Sequence, residues 1–349
     1  MSIFIRAKAP LRLGFGGGGT DIVEYSSRFG GAIINATISR YAYATIEPLN
    51  NGTIEFKCSD RDQSSIHQSS MELDTTNGQQ LLAGVYNRIV RNFVKKPLSF
   101  RLTTSVDAPP GSGLGSSSTL VVAILGAFCE WLKLPLGDYE IANLAYDIER
   151  VDLGLAGGKQ DQFAATFGGF NFMEFNRDGS TLVNPLRVKQ EFVNELEHNL
   201  LLLYTCVSRE SANIIDDQKK FVREDNQSRI EALHAVKGTA SEMKRGILTG
   251  DLDCVGRVLR QGWENKKRSS DVISNADIDA VISDALDAGA LGAKISGAGG
   301  GGFMMVYCPG ITRYKTLKAL SGHTVEPADF RFVNHGLEMW TREDLAKSE

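Results

Sequence analysis

The chain has 349 residues, 42% hydrophobic and 23% charged, with a net charge of −4. Single cores stop growing at roughly 250–300 residues, so this length predicts two domains. Basic and acidic residues are interspersed, which predicts no nucleic-acid partner; the longest apolar run, 120–129, is too short for the about 20 residues of a membrane span, and with no signal-like N-terminus the expected location is the cytoplasm.

In chain order, residues 3–8 and 31–47 are rich in β-branched and aromatic residues and predict strands on either side of LGFGGGGTD, 13–21. Gly14, Gly16 and Gly19 fit G-x-G-x-x-G. A dinucleotide site would also need an acidic residue about 20 positions on, where Ile34 and Asn35 stand instead. TIEFKCS and LSFRLTTSV, ending at Ser59 and Val106, predict two more strands.

The next segment, PPGSGLGSSSTL at 109–120, carries the strongest chemical signal. A glycine-rich turn whose serines open a helix presents unpaired amides and the positive end of the helix dipole, a cradle for phosphate. It lacks the lysine of a Walker A loop, so its neutralising charge is expected from a metal, with a serine hydroxyl and a distant carboxylate as hard ligands for Mg²⁺. The plainer alternative is a serine-capped helix after a glycine turn. LVVAILGAFCEWLKL then predicts a buried helix.

Asp138 is expected to cap the following helix, whose Ile141, Leu144, Ala145 and Ile148 form one apolar stripe. Glu149 falls off that stripe, and Asp161 follows a glycine-rich turn at the next helix start. Two carboxylates so placed can divide the work of holding a metal and accepting a hydroxyl proton, although an isolated acidic residue is more often a solvated surface group. GGFNFMEF (168–175) and NLLLLYT (199–205) predict strands, separated by a polar stretch taken as the domain junction.

Residues 209–289 are helical by periodicity. KISGAGGGGFMMVY (294–307) predicts a glycine-rich turn running into a strand, so its Gly297, Gly299 and Gly302 match lacks the helix that a dinucleotide site requires. A helix near 313–321 and strands at FRFV and LEMW complete the chain. The five cysteines, Cys58, Cys129, Cys206, Cys254 and Cys308, are scattered and never in C-x-x-C spacing, which predicts neither a disulfide framework nor a thiolate metal site.

Together, APLRLGFGGGGTD, PPGSGLGSSS and KISGAGGGG resemble, in order and spacing, the three motifs of the GHMP sugar and mevalonate kinase family, over almost the whole chain. The resemblance implies an α+β, two-domain fold: an N-terminal mixed αβ domain (1–185) with a left-handed βαβ-type ATP site, and a ferredoxin-like C-terminal domain (186–349). With GGAIINATISRYAYATIEP and GGKQDQFAATFGGFNFMEF added, the chain is most similar to the branch that phosphorylates the C1 hydroxyl of D-glycero-D-manno-heptose 7-phosphate for nucleotide-activated heptose and surface glycans. Fucokinase domains carry a similar first motif. A kinase of fucose or galactose type, or a non-catalytic sugar sensor on the same fold, stands as the alternative.

Carried over residue by residue, the resemblance implies that Pro110, Gly111, Ser112, Gly113, Leu114, Gly115, Ser116, Ser117 and Ser118 wrap the ATP phosphates. Ser117 and Glu149 would hold Mg²⁺, Asp161 would act as base, and Arg12 would face the transferring phosphoryl group. Asp21, with Gly18, Gly19, Thr20, Gly299 and Gly300, would meet the sugar. Many members have Gly-Glu-His where this chain has Gly17 to Gly19, which reads as room for a larger or phosphorylated sugar. For the substrate's own phosphate, the residues offer Ser208, Arg209 and Ser211 at a strand-to-helix turn, with Lys159 as a second choice. The expected partners are ATP and a sugar phosphate, and a homodimer is allowed.

Overall fold

The computed structural model describes residues 2–76, 78–206, 211–270 and 272–344. The first half runs β1 (Ser2–Gly16), α1 (Val23–Phe29), β2 (Gly31–Pro48), β3 (Thr53–Cys58), β4 (Gln63–Gln68), α2 (Gln80–Ile89), β5 (Phe100–Val106), α3 (Ser116–Leu132), α4 (Asp138–Asp147), α5 (Gln160–Phe167), β6 (Phe170–Phe175) and β7 (Thr181–Pro185). The second runs α6 (Gln190–Asn199), β8 (Leu200–Tyr204), α7 (Ser211–Arg223), α8 (Gln227–Thr249), α9 (Leu252–Ser269), α10 (Ala276–Asp287), β9 (Gly292–Ile295), β10 (Phe303–Tyr307), α11 (Thr312–Ala319), β11 (Glu326–Pro327) and β12 (Glu338–Asp344).

The larger sheet has the order β12-β1-β2-β5-β3-β4, with β6 and β7 attached to β2. Strand β2 serves two neighbours on one edge: Gly31–Ala36 pairs with β6, and Ala42–Pro48 pairs with β5. Its first eight residues are buried on both faces, whereas its second half alternates. The reason is packing. Ile34, Ala36 and Ile38 face a core shared with the second half of the chain, while Ile33 packs with Phe163 and Met173 on the other side. Strand β3 lies parallel to β5, and the other pairings of this sheet are antiparallel.

The smaller sheet, β11-β8-β10-β9, is antiparallel. Period-two alternation along β8 divides its leucines: Leu200 and Leu202 join β1, α8 and α9 in the shared core, and Leu201 and Leu203 join Trp263, Ile278 and Val306 on the opposite face. Since the shared core also contains Leu11, Leu13 and Phe15, the two halves are welded along β1. The expected division at 185/186 falls directly after β7, and β12, from beyond that line, returns to pair with β1 from Ser2↔Asp344 to Lys8↔Glu338.

Several local expectations change in detail. The first glycine motif begins inside β1, which extends to Gly16 rather than ending near residue 8. The N-cap of α4 is Gly137, whose N–H donates to Glu140 at 2.9 Å, one residue before the expected Asp138. The polar stretch after β6 contains β7 and α6. FRFV contributes only an isolated bridge, Ile38↔Phe332. Four of the cysteines are buried and Cys206 is exposed, all with free thiols. Among the described residues, no helix is long and apolar enough to cross a membrane.

Candidate active site

A cleft of about 670 Å³ gathers residues from all three glycine-rich segments. One wall is the turn from Pro110 to Gly115 together with the first turn of α3, Ser116 to Ser118. No side chain caps α3, so its first amides remain for an anion, reinforced by the helix dipole. Ser112 and Leu114 of the same turn are buried beneath it.

Close packing explains the third motif. Gly113 has φ +78°, and a Cβ there would lie 2.3 Å from the Ser296 carbonyl oxygen. Phe303 N–H donates to the Ser112 carbonyl at 2.9 Å. The 297–302 turn therefore braces the Pro110–Gly115 turn from behind. Of its glycines, Gly297 lines the cleft; Gly299 and Gly300 instead pack on Ile273, to whose carbonyl Gly300 N–H donates at 2.7 Å.

The helix α4 continues into a π turn, Ile148–Asp152, which carries Glu149. π turns inside helices recur at functional sites. Glu149 is not a solvated surface group: it is 1% exposed and lines the cleft. Ser117 Oγ donates to Glu149 Oε1 at 3.2 Å, and Gln162 Nε2 donates to both Glu149 Oε2 and Ser118 Oγ. Mg²⁺ takes one or two protein oxygens plus substrate phosphates, and a carboxylate fixed by a neighbouring amide suits it. Ser117 and Glu149 fit that requirement.

Opposite them, Arg12 rises from β1 and is nearly buried. Its Nε and Nη2 reach Asp161 Oδ1 at 2.8 and 2.6 Å, and its Nη1 donates to the Gly113 carbonyl. Asp161 lies in the first turn of α5, and Gly115 faces it without a side chain. Asp21 is buried and accepts from Gln160 N–H at 3.0 Å; burial pushes its carboxyl above the usual range, the Gln160 bond opposes that, and nearby Asp161 adds to it. A Cβ on Gly158 would lie 2.0 Å from Asp21 Oδ2.

Gly18 and Gly19 line the same end of the cleft, and Gly18 faces open space. Thr20 is buried below them, donating to the Gly17 carbonyl at 2.8 Å and accepting from Ala32 N–H at 3.1 Å. Lys159 is absent from the cleft wall. Its ammonium donates to the Gly179 carbonyl and sits 5.2 Å over the Tyr146 ring, and burial lowers its pKa. Arg209 and Ser208 lie outside the described residues, as does the Ser211 side chain.

Gln80, Arg150, Gln160, Gln218 and Lys266 also line the cleft and were not foreseen. Arg150, next to Glu149, lies with Nη1 3.6 Å from Glu149 Oε1 and packs on Gly157. Gln218 reaches in from α7 beside Gly19. Lys266, from α9, is 4% exposed. A signal for Lys266 existed: it extends the buried α9 series Val255, Leu259, Trp263, where an apolar residue belongs.

Two families match the chain: GHMP kinases N terminal domain over residues 80–169 and GHMP kinases C terminal over 243–315. The D-glycero-alpha-D-manno-heptose 7-phosphate kinase of Campylobacter jejuni is 45% identical over 96% of this chain and 98% of that protein. The crystal structure of a D-glycero-D-manno-heptose 1-phosphate kinase from Bacteroides thetaiotaomicron is 44% identical, with TM-score 0.82 over 96% of this chain and 98% of that one. Methanococcus jannaschii mevalonate kinase, at 20% identity and TM-score 0.74 over 94% and 98%, shares the fold.

Proposed function

The chain belongs to the GHMP kinase family, and on that premise we propose that its cleft transfers the γ-phosphoryl group of ATP to the anomeric C1 hydroxyl of D-glycero-D-manno-heptose 7-phosphate. The product would be the heptose 1,7-bisphosphate, an intermediate toward nucleotide-activated heptose for surface glycans, made in the cytoplasm. The names of the two heptose kinases place the substrate phosphate at different carbons, 7 and 1. A 1-phosphate has no free C1 hydroxyl, so transfer to C1 requires the 7-phosphate, the substrate in the name of the Campylobacter jejuni relative.

The observation that carries this reading is the position of Asp161, held by Arg12 where the phosphate loop meets the Asp21 end of the cleft. Phosphoryl transfer asks for alignment and charge neutralisation more than for covalent chemistry. The α3 amides and the loop from Gly111 to Gly115 would bind the triphosphate. Ser117 and Glu149 would hold Mg²⁺, which when bound neutralises phosphate charge. Asp21 would accept bonds from sugar hydroxyls. Asp161 would orient the C1 hydroxyl and take its proton, and Arg12 would fix Asp161 while facing the group in transit. An anomeric hydroxyl is more acidic than an ordinary alcohol, so orientation is the larger part of that work.

Gly18, facing open space, supports the reading of the first glycine run as room for a large sugar. ADP release is the test, measured across heptose 7-phosphate, heptose 1-phosphate, unphosphorylated heptose, fucose, galactose and mevalonate. Heptose 7-phosphate should give the highest kcat/KM, by at least about tenfold. Faster turnover of any other acceptor would refute the substrate assignment while leaving the kinase.

A further inference from the structure

The basic C-terminal end of α9 divides its charges. Lys267 pairs with Glu264 and Asp279 at 3.3 and 3.5 Å on the outside, whereas Lys266, on the Trp263 face, turns inward and is 4% exposed. Its ammonium donates to the Gly297 carbonyl. Among the described residues, no carboxylate lies within ion-pair distance of it. A Cβ on Gly297 would be 2.7 Å from the Gly113 carbonyl oxygen, and that oxygen already accepts from Arg12. Lys266 and Arg12 therefore flank the phosphate loop at Gly113 from the two halves of the molecule.

The ammonium of Lys266 has cations for neighbours rather than a carboxylate partner among the described residues. Lys294 of β9 lies behind, its ammonium buried against the carbonyls of Gly14 and Phe15 at 2.9 and 3.4 Å. Lys266 feels repulsion from Arg12 and a weaker attraction from Asp21, and Lys294 feels repulsion from Lys266 and Arg12. Of the two carboxylates nearest Lys266, Asp161 is already committed to Arg12 and Asp21 acts on it only at a distance, while Lys294 behind it brings no countercharge. A buried cation satisfied only by a carbonyl is costly, and an arriving phosphoryl group would offset that cost.

We infer that Lys266 is a second cationic contact of the phosphoryl group in transit, on the opposite side from Arg12. As the bond from the γ-phosphorus to the β–γ bridging oxygen breaks and the bond from the sugar oxygen forms, the hydroxyl proton passes to Asp161 and ADP departs. Lys266 donates a hydrogen bond to a non-bridging oxygen throughout and keeps its proton. This rests on the cleft being a phosphoryl-transfer site and not on which sugar accepts.

Two substitutions test it. Lys266→Gln removes the charge and keeps a donor for Gly297, and Lys266→Met removes both. Each should lower kcat about 10²-fold, as loss of one preorganised contact to developing charge does, with KM for ATP and for sugar within about threefold of wild type. ADP binding by calorimetry should stay within threefold, and the melting temperature should hold or rise. Burial lowers the Lys266 pKa to about 8, so wild-type kcat/KM should fall as pH rises past that value and Lys266→Gln should lose the limb. Arg12, Asp21, Asp161 and Lys294, the charged groups around it, remain in that variant. Unchanged kcat, or an effect confined to the sugar phosphate KM, would overturn the inference. The comparison uses whichever acceptor wild type turns over, so failure of the heptose assignment is seen separately.

Discussion

Arg12 and Asp161, 149 positions apart, are joined by two short contacts, 2.8 and 2.6 Å, that tie β1 to the first turn of α5. The pair fixes the direction of the Asp161 carboxylate between the Pro110–Gly115 turn and the end of the cleft that holds Asp21. Asp161→Asn should lower kcat by about 10²–10⁴-fold, the usual range for general acid–base groups, with KM for sugar changed less than about fivefold. Steady-state kinetics in both substrates checks this, and an unchanged kcat would remove Asp161 from the reaction.

Burial of Asp21 carries a stability cost. Its pKa is raised by burial, so ionisation is less favourable in the folded chain than in the unfolded one. The sign follows by linkage: stability is highest below the unfolded value and is lost as pH rises through the folded one. Asp21→Asn, which can still accept from Gln160 N–H, should raise the melting temperature at neutral pH by a few degrees. It should also raise the sugar KM at least about tenfold, since charge-assisted bonds are roughly twice as strong as neutral ones. A variant both less stable and fully active would contradict this.

Two glycines of the same end should respond differently. A Cβ at Gly158 would lie 2.0 Å from Asp21 Oδ2, whereas one at Gly18 meets nothing within 4 Å. Gly158→Ala should displace Asp21 and raise the sugar KM at least about tenfold while leaving the KM for ATP near wild type, a misplacement effect. Gly18→Ala, whose methyl would meet no protein atom, should leave Asp21 in place and raise the sugar KM less than Gly158→Ala does. Equal effects of the two would rule out the steric explanation.

Lys294 supplies a pH signature of folding. Its pKa falls from 10.5 to about 7 through burial and the charges of Lys266 and Arg12. Between those values the unfolded chain holds a proton that the folded chain lacks, so this group makes stability rise with pH over that window. In Lys294→Met the slope should fall by up to about 1.4 kcal/mol per pH unit, the equivalent of one proton. Urea titrations at several pH values measure it, and an unaltered slope would show that Lys294 does not titrate there.

Much of the site was legible because its chemistry sits in local motifs. The Ser116–Ser118 helix start and the Arg12 to Asp21 segment each stand out within a dozen residues, and both line the cleft. Lys266 gave a weaker sign: a lysine in the apolar α9 series marks an oddity, and its place in the cleft is readable only once the fold brings α9 against Gly297. The edge strand β4, QSSIHQ, was missed because exposed polar residues alternate without an apolar face, and its pairing with β3 supplies what propensity does not. β12 was read as a strand, but nothing local in LEMW says that its partner is β1, more than three hundred positions away. Gly299 and Gly300 show the reverse: a motif can be legible while the job of its members, here packing on Ile273, is not.

The central claim is transfer to the anomeric oxygen of heptose 7-phosphate, and product analysis by ³¹P NMR tests it most directly. Incubation with ATP, Mg²⁺ and heptose 7-phosphate should give two sugar phosphorus signals of equal intensity, one of them coupled to the anomeric proton. A new signal coupled to any other sugar proton, or no new sugar phosphate while another acceptor is consumed, would contradict the account.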